Sequence, residues 1–297
     1  MIGLTMKHLR YLDALAREAH FGRAAAACFI SQPALSQQIK ELEAMVGTPL
    51  IERTTRRVAL TPFGARFLTR ARDILVAVDD LGDLARSARD ALSGELRFGI
   101  IPTMAPYVLP RIVTALAKDF PDIDLRPREA VTGDLIADLR ASRIDVAMLA
   151  LPIGEDSLTE VPLFDEDFVL IRARADAALP VPAPSELKTM RLLLLEQGHC
   201  FRDQAISFCG IGDTRAQEVM EASSLSTLVQ MVDAGIGVTV IPEMALDFET
   251  RSAEVSVARF PDPAPKRTVG LAWRKSSALS DEFAQIAQLV KTACRPA

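Results

Sequence analysis

The stretch FGRAAAACFISQPALSQQIKELEAMVGTPLIERTTRRVALTPFG, residues 21–64, decides the fold. At its centre Ser31 is a residue type whose side chain satisfies the free N–H groups that open a helix. Pro33 fits a first turn, because its missing N–H has no intrahelical partner there. From that start Leu35, Ile39, Leu42 and Met45/Val46 recur at helical spacing, and Gly47 closes the run. Upstream, Arg23–Cys28 reads as a short alanine-rich helix, and Phe29-Ile30 as the turn between the two. A first helix carries Leu12, Leu15, Ala16 and Ala19 inward and breaks at His20-Phe21-Gly22. Two short helices joined tightly, the second exposing Gln32, Ser36, Gln37 and Lys40, make a helix-turn-helix.

Downstream, Arg53–Leu60 predicts a β-wing whose arginines, Arg53 and Arg56 among them, reach phosphates or a narrow minor groove. A solvated basic loop is the alternative. Thr61-Pro62 then starts a long helix, in which Phe67, Ala71, Ile74, Val78, Leu81, Ala85, Ala88 and Leu92 fit an alternating 4,3 spacing. Helical from Pro62 to Leu92, it spans about 46 Å. A lone helix with one apolar stripe needs a partner, of which a second copy is the simplest, against a core helix of its own domain.

Charge follows the same division. Residues 1–60 hold 8 Lys/Arg against 5 Asp/Glu, a net of +3; residues 61–92 balance, and 93–297 carry −8 of the total −5. A basic end on an acidic body suits DNA binding confined to one region. No apolar run reaches the roughly 18 residues of a membrane span, and no signal-type segment opens the chain, so a cytoplasmic location is expected.

After Ser93-Gly94 strand-like and helical segments alternate: Leu96–Ile100, Tyr107–Phe120, Asp124–Glu129, Gly133–Ser142, Val146–Leu149, Leu192–Leu195, Phe201–Cys209, Leu225–Ala234, Val238–Ile241, Thr268–Trp273 and a last helix from Asp281. This is an α/β arrangement, long enough for two small lobes. The expected domains are 1–60, 61–92 and 93–297, with lobe I at 93–167 and 268–297 and lobe II at 168–267.

The chain has four cysteines, Cys28, Cys200, Cys209 and Cys294, none with metal-ligand spacing, so neither a metal nor another cofactor is expected. Cys28 reads as a core residue and Cys294 as an incidental thiol. On one continuous helix, Cys200 and Cys209 would stand about 13 Å apart, beyond the roughly 7 Å between Cα atoms that a disulfide tolerates.

Residues 6–65 resemble the DNA-binding half of LysR-type transcriptional regulators, through the string quoted above with its SQPALSQQIKELE helix, G-T-P-L turn and wing. The resemblance implies a winged helix-turn-helix, a linker helix and a two-lobed effector domain similar to periplasmic binding proteins. It also implies DNA contacts at Ser31, Gln32, Pro33, Ser36, Gln37, Lys40 and Arg53. FGIIPTMAPYVLP (98–110), LLLLEQGHCFRDQAISFC (192–209) and SLSTLVQMVDAGIGVTVIP (224–242) are similar to the peroxide-sensing OxyR subfamily, the second string being the discriminating one.

That resemblance implies a peroxidatic Cys200 and a resolving Cys209, and a pocket in which Thr103 hydrogen-bonds peroxide, with Thr132 and Arg267 as weaker matches. His199 and Arg202 flank Cys200 as sources of positive charge or hydrogen bonds, and Asp203 is a candidate to orient Arg202. The expected partners are double-stranded promoter DNA, hydrogen peroxide, RNA polymerase, a glutaredoxin or thioredoxin reductant, and copies of the chain in a homodimer or homotetramer. Two other functions stay open at this point. One is a LysR-type regulator of a small organic co-inducer bound between the lobes; the other is a thiol peroxidase or disulfide oxidoreductase, against the expectation that the chain is no enzyme.

Overall fold

The computed structural model of the chain describes residues 3–53, 58–87, 93–210 and 220–294. The described chain forms two compact units, residues 1–85 and 86–297.

The first unit begins with α1, Met6–Glu18, which Thr5 and His8 close reciprocally: the Thr5 hydroxyl accepts from the His8 N–H and His8 Nδ1 accepts from the Thr5 N–H. Ala19 ends α1 in the left-handed conformation and is exposed, so it lies outside the inward stripe. Helix α2, Phe21–Ala27, starts two residues earlier than residue spacing predicts, because His20 is its N-cap. The Nδ1 of His20 accepts from the N–H groups of Gly22 at 3.0 Å and Arg23 at 3.3 Å. Helix α3, Gln32–Val46, opens on the Ser31 hydroxyl and stops at Gly47, whose φ of 72° costs a glycine nothing. Leu35, Ile39 and Leu42 are fully buried; Val46 packs beside them while Met45 faces solvent.

Strands β1, Ile51–Arg53, and β2, Val58–Leu60, pair antiparallel with Ile51 opposite Leu60. Arg56 lies outside the described residues. Helix α4 covers Pro62–Ser87, about 39 Å at 1.5 Å per residue. Thr61 caps it by accepting from the Gly64 N–H at 2.8 Å, and a side chain on Gly64 would collide with the Leu50 carbonyl. Its apolar residues divide between two faces. Leu68 and Ala71 are buried and Phe67 and Leu75 half-buried against the unit's own core, held there by the Arg72–Asp13 ion pair at 2.6 Å. Further along, Ile74, Val78, Leu81 and Leu84 face solvent. Ala88 and Leu92 fall outside the described residues.

The second unit runs β3 (Gly94–Ile100), α5 (Ala105–Asp119), β4 (Ile123–Glu129), α6 (Thr132–Arg140), β5 (Val146–Leu151) and β6 (Leu158–Ala173). It continues with α7 (Pro184–Leu187), β7 (Leu192–Leu195), α8 (Cys200–Cys209), β8 (Met220–Ala222), α9 (Leu225–Asp233) and β9 (Val238–Pro242). Helix α10 (Leu246–Glu249), β10 (Val255–Arg259), β11 (Lys266–Arg274) and α11 (Ser280–Cys294) complete it. The strands order as β4-β3-β5-β11-β6-β9-β7-β8, with β10 also on β6.

Two separate cores lie along this order. One gathers β3, β5, β11 and α11 around Phe98, Trp273 and Phe283; the other gathers β7, α8, α9 and β9 around Phe201, Leu228 and Ile241. The lobes are joined through β6, which pairs with β11 in its first half and with β9 and β10 in its second. This long strand was not legible in the sequence, since Pro162 and the acidic run Asp165-Glu166-Asp167 interrupt any alternation. Cys294 is a buried member of the first core rather than an incidental thiol.

Candidate functional site

Helix α8 places Cys200 at its first position and Cys209 at its last. Both thiols are free, and their surroundings differ. Cys200 is half-buried and packs against the core of the first lobe. Cys209 is 1 % exposed within the core of the second. Burial pushes the Cys209 thiol up to about 11, so it is protonated at neutral pH. Nine residues of intact helix hold the two about 13 Å apart. The N-terminus of α8, with its partial positive charge, begins at Cys200.

A tight crevice brings Cys200 together with Ile101, Pro102, Thr103, Val131, Thr132 and His199. It adjoins a wider cavity of about 130 Å³ that shares Pro102, Thr103 and His199 and extends to Tyr107, Glu129 and Ser224. The Thr132 hydroxyl is buried and has no hydrogen-bond partner among the described protein groups. Burial holds His199 below the usual histidine range, against the opposing pull of Glu196 and Glu129. His199 therefore offers the crevice a hydrogen bond more readily than a positive charge.

Arg267 and Thr103 meet directly. The guanidinium donates to the Thr103 hydroxyl at 2.9 Å and to its carbonyl at 3.1 Å, and pairs with Glu166 at 2.7 Å. Arg267 and Glu166 are both buried, and the second Glu166 oxygen accepts from the Met244 N–H at 3.0 Å. The guanidinium also lies 5.6 Å from the ring centre of Phe201, the residue after Cys200. Arg202 is turned towards the other side of α8: it donates to the Leu195 carbonyl at 2.8 Å and pairs with Glu221 at 2.7 Å. Asp203 is exposed in the first turn of α8.

Spacing could not reveal Glu166, Glu221 or Phe201, because each acts through a residue distant in sequence or through packing. Tyr107 belongs with them. It packs against both cores, and its hydroxyl donates to buried Glu249 at 2.6 Å; burial and this bond push the phenol far up.

In the first unit Ser31, Gln32, Pro33, Gln37 and Lys40 are exposed along the start and one face of α3, with Ser36 half-buried among them. Arg53 ends β1.

Comparison with known proteins agrees with both units. Residues 6–65 match the bacterial regulatory helix-turn-helix protein, lysR family, and residues 89–295 match the LysR substrate binding domain. Fold and matches together define a LysR-type regulator. A probable hydrogen peroxide-inducible genes activator from Streptomyces viridosporus is 41% identical over 98% of this chain and 95% of its own. Full-length OxyR from Pseudomonas aeruginosa, solved as a cysteine-to-aspartate variant, is 34% identical over 97% of this chain and 95% of its own, with a TM-score of 0.75. A cysteine-to-serine variant of OxyR from Corynebacterium glutamicum, solved with hydrogen peroxide bound, is 39% identical over 98% and 92%, with a TM-score of 0.67. The chain belongs to the LysR family, in its OxyR branch.

Proposed function

We propose that this protein is a cytoplasmic transcription regulator that senses hydrogen peroxide through Cys200 and Cys209. The observation that carries the reading is the placing of Cys200 at the start of α8, in a crevice lined by the hydroxyls of Thr103 and Thr132, while Cys209 is buried in the other lobe's core.

The Cys200 thiolate attacks one peroxide oxygen. The O–O bond breaks, the leaving hydroxide takes a proton to become water, and Cys200 is left as a sulfenic acid. Thr103, Thr132 and neutral His199 hold the peroxide in line; Arg267 positions Thr103 and so acts through it. Cys209 then attacks the sulfenic sulfur, a second water leaves, and a disulfide forms. Intact α8 forbids that bond on length alone, so α8 unwinds first and Arg202 leaves Glu221. A glutaredoxin or thioredoxin dithiol reverses the step by thiol–disulfide exchange.

The exposed Ile74, Val78, Leu81 and Leu84 of α4 pair two copies, and pairs of dimers form the tetramer. Ser31, Gln32, Pro33, Ser36, Gln37 and Lys40 face promoter DNA, with Arg53 and Arg56 on its backbone, and RNA polymerase is recruited there. The chain signals through DNA and has no catalytic turnover of its own. The 130 Å³ cavity favours a second reading, a small co-inducer between the lobes.

One experiment separates them. One equivalent of hydrogen peroxide should shift the DNA footprint and yield a Cys200–Cys209 disulfide in peptide mapping, and Cys200→Ala should abolish both. A footprint that still shifts in Cys200→Ala removes the thiol mechanism; steady-state peroxide turnover well above one equivalent per dimer restores a peroxidase.

A further inference from the structure

Helix α2 ends in a Schellman turn. The Ile30 N–H donates to the Ala25 carbonyl at 3.0 Å and the Phe29 N–H to the Ala26 carbonyl at 3.1 Å. The residue at the turn's left-handed position is Phe29, with φ of 56°. Glycine or asparagine suits that position, and any larger side chain is strained there. Cys28 and Ile30 on either side pack against the unit's core, whereas Phe29 is 96% exposed. Backbone and solvent therefore both disfavour a phenyl ring at this point, and no contact within the core compensates.

Phe29 lies in the turn that leads directly into α3. Phe29 stands two residues before Ser31, whose hydroxyl caps that helix, and Ser31 through Ala34 are all exposed. The N-terminal residues of a recognition helix are those that enter the major groove. Two residues of chain span at most about 7 Å, so the ring belongs to the rim of the same surface. DNA offers apolar partners there, the deoxyribose and the thymine methyl group.

We propose that Phe29 is a DNA-contacting residue, its ring packing on deoxyribose or thymine methyl where the groove meets the first turn of α3. This rests on the reading of α3 as the DNA-facing helix. The ring binds by excluding water and carries no charge, so it neutralises no phosphate.

The test uses full-length protein and a duplex selected by the wild-type chain from a random pool. Phe29→Asn should melt at no lower temperature than wild type, because asparagine tolerates the left-handed turn. It should bind the duplex about tenfold more weakly, the scale of a partly buried aromatic side chain. The slope of log affinity against log salt should stay unchanged, since no counterion release is lost. Phe29→Gly, which also removes the ring, should weaken binding equally.

Affinity within twofold of wild type in both variants overturns the proposal. So does unchanged affinity with a smaller assembly in sedimentation, which would give the ring to a second copy of the chain. A wild-type chain that selects no sequence from the pool instead overturns the reading of α3.

Discussion

Helices α3 and α8 each bring functional residues to an N-terminus, but they are built in opposite ways. Helix α3 has 15 residues, a side-chain cap from Ser31, and three fully buried residues in a single core. Helix α8 has 10 residues and no side-chain cap from His199; its first residue packs with one lobe and its last with the other. Isolated helices shorter than about 12–15 residues are marginal in water, so α8 persists only through its tertiary contacts. On the proposed function, the helix that reads DNA is fixed against one core, whereas the helix that switches spans two and has no side-chain cap.

Raising the pH tests this contrast most strongly. Burial lifts the Cys209 pKa from 9.0 to about 11, so the folded α8 binds a proton that the opened segment releases. The stability due to that proton is intact below pH 9 and is lost as pH rises to about 11. Alkylation of Cys209 in the reduced protein should therefore keep climbing, about tenfold per pH unit from 9 to 11, where a freely exposed thiol has levelled off. A plateau at pH 9 would break the comparison, because Cys209 would not be held by the folded helix.

Removing the cap of α3 has a smaller effect. Ser31→Ala should cost about 1 kcal/mol of stability in the first unit, read by thermal or urea unfolding. Peroxide reactivity at Cys200 should stay as it was; a change in it would tie α8 to the stability of α3. The smallest effect comes from strengthening α8. Ser207 is exposed in its interior, and Ser207→Ala should favour the helix by about 0.5 kcal/mol. Disulfide formation after a single peroxide addition, followed by quenched mass analysis, should slow about twofold. An unchanged rate would mean that α8 does not unwind before the bond closes.

The two helices also differ in how far the sequence disclosed them. Ser31, the 3.6-residue recurrence of Leu35, Ile39 and Leu42, and Gly47 all lie within one segment, so α3 was legible to the residue. His20 as the cap of α2 was hidden, because imidazole is not an ordinary capping group. The ends of α8 were visible as Cys200 and Cys209, but their assignment to opposite cores was not, since that depends on packing across lobes. Glu166, paired with Arg267 at a separation of 101 positions, leaves no local trace. The stripe on α4 was half legible: its 4,3 spacing is present, yet Leu68 and Leu75 of the same helix, rather than the alanines alone, fasten it to its own core.

Strand β6 gives the second unit a mechanical character. It runs through both lobes, with one shift in its pairing with β11 between Phe164 and Pro162, and Glu166 sits in register with Arg267 just where its pairing passes from β11 to β9. A strand clamped in this way has no slack loop to absorb displacement, and paired strands yield most readily in twist. The lobes thus share a torsion bar, which α8 reaches through the edge-on contact of Phe201 with Phe168.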